Sequence, residues 1–195
     1  AELLLEHGAD LHARTPLGWS ALTWAALSDQ KAMVQFFLHR GVEVTERELI
    51  LVTFAGHSGS LSKLLGAFPS DVAALRTDTS GQTLLHTACL GMCNLPREQP
   101  ERFLATVDLL LQWGVPLDAA DKRGRTCLQV YVGHSNWVQR HFEHSPVHLT
   151  LVERLCSQGA DVDAALPLAE EAGLWLVRQT LLRFVQLRQS ASSKL

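Results

Sequence analysis

The sequence predicts an all-α solenoid of helix–turn–helix units joined by short β-hairpin fingers. Three observations carry that prediction. Four segments share one design, LLLEHGADLHA, FFLHRGVEVTE, LLQWGVPLDAA and RLCSQGADVDA: an apolar helix end runs into Gly8, Gly41, Gly114 or Gly159, then into an extended stretch. The step from Gly8 to Gly41 is 33 residues, a period typical of stacked helical units. A second marker opens the next helix each time, as GWSALTWAA from Gly18, GQTLLHTAC from Gly81 and GRTCLQVYV from Gly124.

Taken in order, the chain begins in AELLLEHGAD, which reads as a second helix with no first. Leu3, Leu4 or Leu5 would then face an absent neighbour, so a fragment of a longer protein is expected. Residues 1–187 should form one stack of about four full units plus an N-terminal half unit. In the first full unit the small Ala25 and Ala26 let a second helix approach, on which Val34, Phe37 and Leu38 recur at helical spacing. Gly41 closes that helix and suits a left-handed cap.

The second unit is shortened. Gly41 to Leu49 is only eight residues, too few for a hairpin finger. Its helix should start near Thr45, with Thr45 as N-cap and Glu48 three residues on in a capping box. A second helix around Ser60 to Leu65 ends without the usual Gly. The third unit repeats the pattern with Ala88 and Cys89, then Val107, Leu110 and Leu111. Gly81 to Gly124 spans 43 residues and Gly114 to Gly159 spans 45, each well beyond one period. Both excesses fall between first and second helix, at about Met92 to Arg102 (MCNLPREQPER) and Gln139 to Thr150 (QRHFEHSPVHLT). Leu174 to Leu187 reads as a last helix, with Arg178, Gln179, Arg183 and Gln186 as its polar outer face. Residues 188–195 are expected to be a disordered tail.

In these markers the chain resembles the ankyrin-repeat family, whose signature is G-x-T-P-L-H-x-A-A followed by V-x-x-L-L-x-x-G-A-D. The best match is Asp78 to Cys89, DTSGQTLLHTAC, continued by TVDLLLQWGVPLDAADKRGRT. The resemblance covers most of the chain and implies the fold far more strongly than any particular function. It also implies that His86, the motif histidine, hydrogen-bonds within the stack, and that Cys127 takes a slot usually held by Pro.

Composition narrows the function classes. With 195 residues and 47% hydrophobic content the chain can bury a continuous core, and no Gly/Ser or Pro-rich linker divides it. A net charge of −3 gives no strong pull toward nucleic acid or a membrane surface. No stretch is apolar and long enough to span a bilayer, and no basic region precedes the first apolar run. Of Cys89, Cys93, Cys127 and Cys156, the first and last sit at packing positions and the spacing is no disulfide framework, so a reducing compartment is expected, cytoplasm or nucleus.

Chemistry is weakly signalled. His141, His144 and His148 are the sharpest metal-ligating pattern, but Pro146 breaks the helix that would align them and no Cys lies nearby. His86, Cys89 and Cys93 share a helical face yet fit packing slots. No metal and no cofactor are therefore expected. Phosphate-loop, zinc-protease and serine-hydrolase motifs are missing from the sequence, and no feature lowers a thiol pKa, so no enzyme is expected.

Binding is the expected function. By resemblance, the partner-facing slots lie at the finger tips and on the exposed side of the first helices. They give Pro16, Leu17, Trp19, Leu27 and Ser28, then Phe54 and Ala55, then Thr79, Ser80, Gln82, Leu90 and Gly91, then Lys122, Arg123, Arg125, Gly133 and His134. The strongest are Leu17, Trp19, Leu27, Phe54, Gln82, Leu90, Lys122, Arg123, Arg125 and His134. An apolar end around Trp19 and Phe54 faces a basic end at Lys122 to Arg125, suiting a protein partner with an apolar anchor and acidic residues. Trp24 and Trp113 read as structural. The alternatives are a substrate-recognition module of a larger enzyme such as a ubiquitin ligase, or binding through the paired insertions 92–102 and 139–150. As a fragment the chain is expected to be monomeric, with no nucleic acid bound and no membrane insertion.

Overall fold

The fold was described from a computed structural model, which defines residues 2–77, 79–94, 101–134 and 146–192. A single helix, α1 (Glu2–Glu6), leads in. Helix pairs follow: α2 (Ala21–Leu27) with α3 (Lys31–His39), α4 (Glu46–Ala55) with α5 (Ser58–Ala67), and α6 (Leu84–Asn94) with α7 (Glu101–Gln112). Then come α8 (Cys127–Gly133), α9 (Pro146–Ser157), α10 (Leu166–Glu171) and α11 (Trp175–Ser192). The first helices α2, α4, α6, α8 and α10 pack in one row. Of the second helices, α3 packs on α5, α5 on α7 and α9 on α11. The core lies between the rows, built on Leu22, Val34, Leu49, Leu61, Leu84, Val107, Leu128 and Leu155, all essentially buried.

Local chemistry starts several of the inner helices. Ser20 accepts from the Thr23 amide, and Thr23 answers by accepting from the Ser20 amide. Thr126 and Gln129 repeat that exchange on α8. Each such box satisfies amides that a helix start leaves orphaned. On α4 the expected box is present: the Glu48 carboxylate accepts from the Thr45 amide at 3.0 Å and from its hydroxyl.

Several elements depart from the sequence reading. The fingers are tight turns; among the described residues the only β-pairing is an isolated antiparallel bridge, Arg14 to Ser20. The first insertion does not begin at Met92, because α6 continues through Asn94 with Met92 and Cys93 buried. Pro146 opens α9, where its missing amide hydrogen costs nothing. The last helix runs on to Ser192, so 188–192 are helical, and the Arg188 guanidinium donates to the Ala160 carbonyl at 2.6 Å. The pair α10 and α11 follows the fourth unit as a fifth helix pair, one more than the glycine count suggests, because Gly173 follows a helix of only six residues.

Candidate partner-binding face

The finger before α2 is a closed turn. The Thr15 amide donates to the Trp19 carbonyl at 2.9 Å, and the Gly18 amide to the Thr15 carbonyl at 2.7 Å. Gly18 has φ +78°, a conformation other residues rarely adopt. This turn holds Leu17 out at 72% exposure and presents Trp19 beside the first helix. On α2 the buried Leu22, Thr23, Ala25 and Ala26 leave Ala21, Trp24 and Ser28 facing outward, three and seven residues apart. Trp24 is therefore 55% exposed, which corrects its reading as a packing residue. Its ring tilts against Trp19, with centroids 4.7 Å apart and planes at 57°.

Helix α4 forms the other wall. Trp19, Thr45, Glu46, Arg47, Ile50 and Leu51 line a shallow groove of about 540 Å³. Arg47 reaches back across it to donate to the Leu17 carbonyl, which ties the finger to the next unit. Beneath the groove, Glu48 is wholly buried and accepts from the Thr23 hydroxyl at 2.7 Å as well as from Thr45, with the Arg14 guanidinium 3.8 Å away. A buried carboxylate needs such partners, and here they lock α2, α4 and the finger to one another.

At the opposite end the basic residues are unequal. Arg125 is committed: its guanidinium donates to Asp121 at 2.9 and 3.2 Å. Burial alone would raise the Asp121 carboxyl, but the Arg125 amide and side chain and the Arg123 amide outweigh it and hold the group below the usual range. Lys122 donates to the Thr79 carbonyl of the neighbouring finger at 3.4 Å. Arg123 is exposed at the tip. Behind them His86 is buried, with Nε2 2.9 Å from the Arg125 carbonyl and Nδ1 2.9 Å from the Thr83 hydroxyl. Burial depresses its pKa, so the ring stays neutral and bridges two units.

The fold matches the crystal structure of the ankyrin repeat domain of Bcl-3, with a TM-score of 0.68 over 94% of this chain and 77% of that one, at 24% identity. Ankyrin repeat and SOCS box protein 6 of Homo sapiens is 30% identical over 165 residues, 84% of this chain, and its Pongo abelii counterpart matches to the same extent. The chain belongs to the ankyrin-repeat family. No family model matches it. It spans 29% of the length of those curated relatives. Ankyrin-repeat stacks are protein–protein interaction modules, and this chain falls in that class.

The remaining slots of this ankyrin-repeat stack behave differently from one another. Leu27, Phe54, Gln82, Leu90 and His134 are half-buried, and the Gln82 backbone N–H donates to Thr77 Oγ1. Gly91 is buried, not open: a Cβ there would lie 2.1 Å from the Phe54 carbonyl oxygen. It marks where α4 and α6 approach most closely. Trp113, read as structural, is 41% exposed, and Trp175 is 56% exposed.

Trp137, His141 and His144 lie outside the described residues, as do 95–100 and 135–145 of the two insertions. His148 is on α9, with Nδ1 2.5 Å from the buried Tyr131 hydroxyl. Among the described residues no helix is long and apolar enough to cross a membrane. Sequence reasoning missed Trp24 and Arg47; the period of the buried residues on α2 was the signal for the first.

Proposed function

We propose that this stack holds a partner segment on its finger and first-helix side, with an apolar anchor seated against Trp19 and Trp24 in the groove beside α4. Acidic residues of the same segment would reach Arg123, at the fourth finger. The observation that carries this reading is the Trp19–Trp24 pair: an indole 55% exposed, tilted against a second one, beside a groove with Ile50 and Leu51 in its wall. Exposed aromatic clusters of this kind supply binding hot spots. Trp24 is on the surface, so its truncation should leave the fold intact while weakening the partner. Truncating Trp24 should cost about 2 kcal/mol of binding, a loss of roughly 30-fold. Partner affinity measured for Trp24→Ala against Ser62→Ala, an exposed change on α5, checks this; equal affinities would remove the groove from the account.

A second reading makes the stack the substrate-recognition part of a larger enzyme such as a ubiquitin ligase. The 30% identity to a protein named for both ankyrin repeats and a SOCS box favours it. Ubiquitylation of a bound partner in cells, compared with and without this protein, separates this from simple scaffolding.

A further inference from the structure

We propose that Thr15 is a phosphorylation site for a proline-directed serine/threonine kinase, and that the phosphate occupies an anion slot already built into the finger. The slot is visible by comparing two fingers of the same chain. In the fourth, Asp121 stands three residues before Gly124; in the first, Thr15 stands three before Gly18.

Two backbone bonds of the turn correspond, although the Arg123 amide that donates to Asp121 has no counterpart in the first finger. The Asp121 amide donates to the Arg125 carbonyl at 2.9 Å, as the Thr15 amide does to the Trp19 carbonyl at 2.9 Å. Gly124 donates to the Asp121 carbonyl at 2.9 Å, as Gly18 does to Thr15 at 2.7 Å. The Asp121 carboxylate then accepts from the Arg125 amide at 2.9 Å, and Thr15 Oγ1 accepts from the Trp19 amide at 3.1 Å. One finger thus holds a carboxylate where the other holds a hydroxyl.

Two guanidiniums stand at the hydroxyl finger: Arg14 lies 3.8 Å from the buried Glu48 carboxylate, while no salt bridge to Arg47 is seen among the described residues. The Arg14 guanidinium donates to the Gly18 carbonyl at 3.0 Å, and that of Arg47 to the Leu17 carbonyl. In the fourth finger a guanidinium, that of Arg125 at the position Trp19 holds in the first, pairs with the anion itself. A phosphate on Thr15 would supply an anion for Arg47, with three acceptor oxygens to receive its guanidinium. Thr15 is exposed at the tip and is followed directly by Pro16, the residue such kinases read.

In the transfer, Thr15 Oγ1 attacks the terminal phosphorus of ATP, and the bond from that phosphorus to the bridging oxygen breaks. ADP leaves with that oxygen, and the hydroxyl proton passes to the kinase's carboxylate base and on to solvent. The site is read from phosphate incorporation and finger stability, so it stands apart from the docking reading.

Incubation of the protein with a cyclin-dependent kinase and ATP, followed by mass-spectrometric mapping, should place phosphate on Thr15, at a rate at least ten-fold lower in Pro16→Ala. No phosphate on Thr15, or an equal rate in Pro16→Ala, would overturn the site. Thr15→Asp tests the slot without a kinase: its Tm should rise by about 2–4 °C, and Arg47→Ala in the same background should remove the rise. A Tm below wild type for Thr15→Asp would show that the finger does not accept an anion.

Discussion

Gly91 leaves no space for a methyl group, because the Phe54 carbonyl oxygen would stand 2.1 Å from it and the Phe103 ring 2.9 Å. Both atoms are held by helices on either side, so neither can yield cheaply. Gly91→Ala should therefore destabilise the stack by about 3 kcal/mol, at the upper end for overpacking. Gly66 is the contrast: it is helical, and nothing lies within 4 Å of its added Cβ. Gly66→Ala should stabilise by up to about 1 kcal/mol from helix propensity alone. Urea denaturation of the two variants checks both signs. His86 makes a further residue-scale demand. Its pKa in the fold lies below the ordinary 6.5, so the unfolded chain binds the proton more readily. The His86 contribution is whole above pH 6.5 and falls away as the pH drops below it. The urea midpoint should decrease from pH 7.5 to 5.5, and His86→Asn should flatten that decrease.

The elements show which features were legible beforehand. The start of α4 was readable because Thr45 and Glu48 stand at capping-box spacing, a purely local signal. The helix-closing glycines were readable for the same reason: Gly41, Gly114 and Gly159 all have positive φ. Elements decided by neighbours were not. The sequence placed Gly91 among partner-facing slots, since nothing local reveals that α4 presses its carbonyl there. Trp24 was read as structural from its slot in the repeat, yet the helix turns it outward. Arg125 was assigned to a partner, but Asp121, four residues earlier, already holds it. The first insertion was placed one turn early because the apolar Met92 and Cys93 extend α6. The second ends in helix because Pro146 is well suited to a first turn.

At the scale of the whole molecule, stability is shared between neighbouring units. The bridges are visible: Glu48 to Thr23, Ser60 to the Asp29 carboxylate, His86 to the Arg125 carbonyl, and Arg154 to Asp108. The thiols report on that cohesion. Cys89, Cys93, Cys127 and Cys156 are buried and free. Burial pushes the thiols of Cys93 and Cys156 up to about 12. Reaction with a thiol reagent at pH 8 should therefore be slow in the native stack and follow the urea unfolding curve; fast labelling without denaturant would contradict the close packing. On the proposed reading, the same arrangement sets fingers and inner helices along one surface for the partner.

The central claim is that a partner segment spans that surface from the Trp19–Trp24 pair to Arg123. Calorimetric titration of a peptide ligand, selected from a random library on the intact protein, tests it most directly. Trp19→Ala should weaken binding by about 2 kcal/mol, and Arg123→Glu should weaken it further as acidic residues in the peptide lose their partner. Ligands bound with affinity unchanged by both Trp19→Ala and Arg123→Glu would contradict the account.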